Sequence, residues 1–118
     1  MKMNLNIIHL PYRADRLELL TSELAAQDLK ACIWPGILSP EDPKKGISRA
    51  HKQIVSWAMQ QQLSSVMIAE DDIRFTAPGA FDHFIKARPA DFDLYLGGIY
   101  YGKIREDNTV EDFAGTML

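Results

Sequence analysis

Three consecutive carboxylates, Glu70, Asp71 and Asp72, follow directly on the apolar run "VMIA" at positions 66–69. Neighbouring acids at the edge of a core raise one another's pKa unless a cation offsets their charge. Carboxylates at a strand end are ligands for Mg²⁺ or Mn²⁺, which usually bind one or two of them together with substrate phosphates. Because alternate strand residues face the same way, we expect Glu70 and Asp72 to hold the metal and Asp71 to point oppositely. The alternative is that the acids only begin a loop and cap the next helix.

Two arginines, Arg13 and Arg16, lie just after the first apolar run of the chain. Guanidinium groups beside the free N–H groups of a helix N-terminus suit a diphosphate or a nucleotide. The alternative is a solvated first helical turn in which Arg16 pairs with Glu18 or Glu23.

Ser48 and His51 are three residues apart on a predicted helix, so they share a face and could touch one substrate. The chain has no complete Ser-His-Asp order, and a packed or capping role is the alternative for His51. Neither His9 nor His83 forms a zinc-binding spacing with Cys32. No GxxxxGK[ST] or GxGxxG motif occurs, which argues against an ATPase or a dinucleotide-binding enzyme.

Strands and helices alternate along the chain and must position these residues. Hydrophobic spacing predicts strands at 4–9, 30–37, 64–69 and 92–96, and helices at 13–29, 47–63 and 78–88. Ser48 is the expected N-cap of the second helix, and the polar stretch beyond Tyr100 predicts an exposed loop or a short hairpin. This order favours an α/β layered domain with a mostly parallel sheet. Ligands gather at the carboxyl ends of such strands, where the arginines and the acids are both placed.

Composition predicts one globular domain, 1–118, with 47% hydrophobic and 25% charged residues. The net charge of −3 argues against a nucleic-acid partner. The single cysteine, Cys32, forms no internal disulfide, lies in an apolar context typical of a core residue, and fits a reducing, cytoplasmic setting. The sequence shows no signal peptide and no apolar run long enough to span a bilayer, so we expect a soluble protein, peripheral to a membrane at most.

The order of three segments resembles glycosyltransferase family 25, which comprises lipooligosaccharide biosynthesis glycosyltransferases and collagen galactosyltransferases. The segments are "NIIHLPYRADR", "GISRAHKQIVSWAMQQQLSSVMIAEDDIRF" and "FDLYLGG". In that family an arginine-bearing turn follows the first strand, and a helix with Gly, Ser-His and Trp precedes an apolar strand ending in Glu-Asp-Asp. The chain departs from the pattern in that Arg49 and Ala50 separate Ser48 from His51.

The resemblance implies a GT-A-like, Rossmann-like layered fold that binds a nucleotide sugar. It implies Mn²⁺ or Mg²⁺ as cofactor and transfer of a galactose-like hexose from a UDP-sugar to a glycan or lipooligosaccharide acceptor. The matching positions are Glu70 and Asp72 for the metal, His51 for catalysis, and four donor-binding residues, Arg13, Arg16, Ser48 and Asp71.

Members of the family normally continue well beyond the position of Leu118. The resemblance therefore implies that this chain corresponds to the N-terminal part of the family domain, with the general base of an inverting transfer further on. A missing half would expose a sheet edge or an apolar face that a second copy could cover, giving a homo-oligomer. Two alternatives stay open, a noncatalytic α/β module for binding or oligomerisation and another Mg²⁺-dependent phosphoryl-transfer enzyme.

Overall fold

The computed structural model describes residues 4–116, without the side chains of 99–101 and 112–116. The chain divides into two compact units, Met1–Asp72 and Ile73–Leu118. The first unit contains β1 (Leu5–His9), α1 (Ala14–Ala26), β2 (Ala31–Pro35), α2 (Pro43–Gln60) and β3 (Met67–Glu70). The second contains α3 (Ala80–Lys86), β4 (Ile99–Ile104) and β5 (Val110–Thr116).

The first unit is built on a three-stranded parallel sheet in the order β2-β1-β3. Ile8 of β1 lies opposite Trp34 of β2 on one side and Glu70 of β3 on the other. All five residues of the central strand are buried, and three of them, Leu5, Ile7 and Ile8, are apolar, as expected for the middle strand of a parallel sheet. The predicted α/β class with a parallel sheet is confirmed to this extent, and the first three predicted strands are all present.

Helix α2 supplies much of the core of this unit. Its buried stripe of Ala50, Ile54 and Ala58 repeats every four residues, as expected for a helix that covers a sheet. Ile54 is fully buried and clusters with Ala50 and with Ile8 of β1. Short side chains at two of the three stripe positions let the helix lie close to the strands.

The N-terminus of α2 lies four residues before the predicted start, so the prediction of Ser48 as N-cap was wrong. Asp42 is the N-cap, and its carboxylate accepts a hydrogen bond of 3.1 Å from the Lys44 amide. Pro43 suits the first helical position because its missing N–H would have no partner there. Ser48 is instead an exposed residue of the second turn.

In the second unit, the prediction of a fourth strand at 92–96 was wrong. Residues 92–96 form no strand, and the Tyr95 ring stacks on Phe84 at a centroid distance of 4.3 Å. The Tyr95 hydroxyl donates to the Phe84 carbonyl at 3.0 Å. The predicted helix is present as α3, and the alternative of a hairpin beyond Tyr100 is confirmed by the antiparallel pair β4 and β5.

The structure also bears on two expectations from composition, the burial of Cys32 and the absence of a membrane-spanning helix. Cys32 is exposed on the edge strand β2, so its prediction as a core residue was wrong. Over residues 4–116, none of the helices combines the length and the apolar character that crossing a membrane requires.

Candidate functional site

The candidate site lies at the carboxyl ends of β1 and β3, which are neighbours in the sheet. His9 ends β1 and Glu70 ends β3, and Asp71 and Asp72 follow in a turn. Arg13 caps the start of α1, three residues before Arg16. The parallel topology therefore brings the arginine turn and the acidic triplet of the first unit to one edge, as predicted.

Asp71 is the centre of this edge and is only 3% exposed. Its Oδ2 lies 2.8 Å from His9 Nδ1, and its Oδ1 accepts a hydrogen bond of 3.1 Å from Arg16 Nη1. A buried carboxylate needs such partners, because an uncompensated charge away from water is very costly. Both oxygens of Asp71 are therefore held by protein groups from two other elements.

Strand and helix geometry explain how these groups meet. In β1 the side chains of Leu5, Ile7 and His9 share one face of the sheet, opposite to Asn6 and Ile8. Since Ile8 packs against α2, His9 lies on the other face. Arg16 of α1 reaches Asp71 as well, so it has a partner that neither sequence interpretation included.

Glu70 and Asp72 differ from the buried acid between them. Both are exposed, and within the described part of the chain neither makes an ion pair or a side-chain hydrogen bond. Partial burial of its carboxylate, followed by the negative charge of Asp72, raises the pKa of Glu70, and the nearby His51 acts in the opposite direction. Glu70, Asp72 and His51 thus lie within electrostatic reach of one another.

Arg13 is engaged locally. Its Nε and Nη2 donate to the two carboxylate oxygens of Asp15 at 3.0 and 2.9 Å. The hydrogen bonds from Arg13 lower the pKa of Asp15 to about 2. An exposed pair of this kind contributes little to stability, so Arg13 can exchange its partner for a ligand at small cost.

No contact among the described residues brings Ser48 to the cluster, whereas His51 is near enough to influence the pKa of Glu70. His9 was missed by the sequence analysis as a site residue. A histidine at the last position of a strand, followed by an arginine-bearing turn, is the signal that could have identified it, since strand ends are where ligand-binding side chains gather.

A divalent cation is compatible with this donor set. Among residues 4–116 no group of three or more His, Cys, Asp or Glu side chains is arranged to hold a metal ion. Mg²⁺ and Mn²⁺ commonly use one or two carboxylates and complete their shell with water and substrate phosphates. Glu70 and Asp72 are two carboxylates without a hydrogen-bond or ion-pair partner among the described residues, which fits that mode of binding.

Comparison of the chain with family models, with curated proteins and with solved structures gives no match. The chemistry of the site is therefore argued from its residues and their geometry.

Proposed function

We propose that the chain is a metal-assisted glycosyltransferase of the GT-A type, related to glycosyltransferase family 25. In this proposal it transfers a hexose from a UDP-sugar to a hydroxyl of a glycan or lipooligosaccharide acceptor. One observation carries the proposal, namely that Glu70 and Asp72 are exposed and unpaired among the described residues at the carboxyl end of β3. Arg13, the N-cap of α1, and Arg16, in the first turn of that helix, share that edge.

Each residue of the site has a role in the proposal. Glu70 and Asp72 hold the divalent cation, which when bound neutralises charge on the diphosphate leaving group. Arg13 releases Asp15 and binds the diphosphate, adding a positive charge where negative charge develops. Asp71 fixes the backbone between the two metal ligands, because His9 and Arg16 hold both of its oxygens. In the proposal His51 of α2, which lies within electrostatic reach of Glu70, orients the sugar.

A second candidate is a noncatalytic binding module of the same fold. The pairing of Arg16 with Asp71 and of Arg13 with Asp15 favours it, because both arginines already have acidic partners. In that case the cluster stabilises the sheet edge and binds no diphosphate.

Calorimetric titration with UDP separates the two candidates. We expect binding that requires Mn²⁺ and that weakens about tenfold or more in Asp72→Ala, since one lost metal ligand removes a charge-assisted contact. The control Glu18→Ala removes an exposed acid of α1 and should bind UDP as the unchanged protein does. If UDP and UDP-galactose give no heat with Mn²⁺ present, the noncatalytic module is the better account. Mn²⁺-dependent release of UDP from UDP-galactose would support the enzyme.

A further inference from the structure

An open groove lies between the edge strand β2 and helix α2 of the first unit. It has a volume of about 720 Å³, and its principal lining residues are Trp34, Arg49, Lys52, Gln53, Trp57 and Gln60. We call it the tryptophan groove. Both tryptophans of the 118-residue chain line it.

The Trp34 ring of the groove is held in place by hydrogen bonds to the sheet. Trp34 Nε1 donates a hydrogen bond of 3.0 Å to Oδ1 of Asn6, which is only 2% exposed. Asn6 Nδ2 in turn donates to the Met67 carbonyl at 3.1 Å. The Trp57 ring meets Trp34 edge to face, with centroids 5.5 Å apart and planes at 64°. A chain of hydrogen bonds across all three strands thus holds the Trp34 ring, and Trp57 packs against that ring.

The charge of the groove is positive although the whole chain carries a net charge of −3. Arg49 and Lys52 are both exposed, and neither has an ion pair or a side-chain hydrogen bond with any described residue. No Asp or Glu is among the lining residues. Two cations that have no counter-ion among the described residues and lie beside two aromatic rings are complementary to an anion that has an apolar face.

Helix geometry separates the tryptophan groove from the acidic strand end. Each helical residue turns the chain by about 100°. Counted from the buried Ala50, this places Arg49, Gln53 and Gln60 on one flank of the buried stripe and His51 on the opposite flank. The groove and the cluster that contains Glu70 therefore lie on different flanks of α2.

We propose that the tryptophan groove binds an acidic saccharide, a sugar chain that bears carboxylate or phosphate groups. The C–H faces of a pyranose pack on the indole rings, Arg49 and Lys52 pair with the acid, and the amides of Gln53 and Gln60 bond hydroxyl groups. Because the Trp34 and Trp57 rings meet edge to face, a nucleobase cannot stack between them as it would between two parallel rings. This arrangement favours a sugar over a nucleotide. The proposal goes beyond the glycosyltransferase function and does not require it.

Tryptophan fluorescence tests the proposal directly, because no indole lies outside the groove. The probe is trigalacturonic acid, compared with the neutral trisaccharide maltotriose and with UMP. We expect a saturating change with trigalacturonic acid at concentrations up to about 20 mM, and a response about fivefold weaker or less with maltotriose. The double variant Arg49→Gln, Lys52→Gln should weaken binding of the acid about fivefold or more. The matched control Lys44→Gln, Lys45→Gln neutralises two exposed cations at the start of the same helix and should not.

Several results would overturn the proposal. These are no saturable change with trigalacturonic acid, equal affinity for maltotriose, tighter binding of UMP than of the saccharide, or an unchanged response in the Arg49 and Lys52 double variant. Asp72→Ala should retain the saccharide response even where it loses UDP binding. A failure of the glycosyltransferase proposal is therefore distinguishable from a failure of this one.

Discussion

His9 Nδ1 and Asp71 Oδ2 lie 2.8 Å apart although 62 positions separate the two residues in the sequence. The contact joins the end of the central strand to the turn after β3. Both side chains are buried, and Arg16 occupies the second oxygen of Asp71. The middle acid of the triplet therefore belongs to the architecture of the site, and the acids on either side of it are exposed and have no hydrogen-bond or ion-pair partner in the part of the chain that the structure describes.

Loss of the Asp71 carboxylate should destabilise the first unit severely. We expect Asp71→Asn to lower the free energy of unfolding by about 3 kcal/mol, because it breaks a buried ionic cluster and leaves its partners unmatched. Urea unfolding followed by tryptophan fluorescence measures this, since Trp34 and Trp57 both lie in that unit. The control Asp72→Asn alters an exposed acid and should change the value by less than about 0.5 kcal/mol. Equal losses in the two variants would contradict the burial of Asp71.

The two arginines of the turn should differ in their effect on stability. Arg16→Gln removes a hydrogen bond to a buried carboxylate, so we expect a loss of about 1.5 kcal/mol. Arg13→Gln removes only an exposed pair with Asp15 and should leave the urea midpoint unchanged. The same denaturation experiment compares them, and a larger loss from Arg13 would show that the ion pairs are assigned to the wrong arginine.

Glu70 should make stability depend on pH. Its pKa in the folded protein is raised above the ordinary value of 4.5, so the folded state binds the proton more tightly than the unfolded state does. The free energy of unfolding therefore falls as the pH rises from 4.5 through the raised pKa. Glu70→Gln keeps the uncharged form at every pH. We expect it to match the unchanged protein below pH 4.5 and to exceed it at neutral pH by about 0.5 kcal/mol, a small value because solvent screens an exposed group. A gain that appears only at acidic pH would reverse the assigned direction.

Gly46 should not tolerate a side chain. A Cβ at this position of α2 would collide with the carbonyl oxygen of Ile37. We expect Gly46→Ala to lower the free energy of unfolding by about 2 kcal/mol, even though alanine favours a helix over glycine by about 1 kcal/mol. Ser48→Ala on the same helix is the control and should be neutral or slightly stabilising. A stabilised Gly46→Ala variant would mean that the loop after β2 can move away from α2.

Local patterns were sufficient to predict the first three strands and all three helices. The run Leu5–His9 is rich in apolar residues because the central strand is buried along its whole length, and this local composition predicted the strand. The stripe of Ala50, Ile54 and Ala58 likewise reports one covered helix face. Strand alternation also predicted that Asp71 faces away from its neighbours, and its burial agrees with this.

Local patterns were not sufficient where an outcome depends on contacts distant in sequence. Residues 92–96 have the hydrophobic alternation of a strand, yet Tyr95 stacks on Phe84 instead. Pro43 and Gly46 are typical of a turn, but both lie within α2, whose N-cap is Asp42. The carbonyl oxygen of Ile37 lies so close to Gly46 that only glycine fits there.

The sequence by itself determined the first three strands and the presence of the three helices, and that three acids end an apolar strand, because these follow from side-chain spacing along a few turns or pleats. Only the tertiary structure decided that His9 and Arg16 hold Asp71 while Glu70 and Asp72 stay exposed. The reason is the strand order β2-β1-β3, which places the ends of β1 and β3 side by side. Pairing between distant strands is a property of the assembled sheet, and no local pattern encodes it.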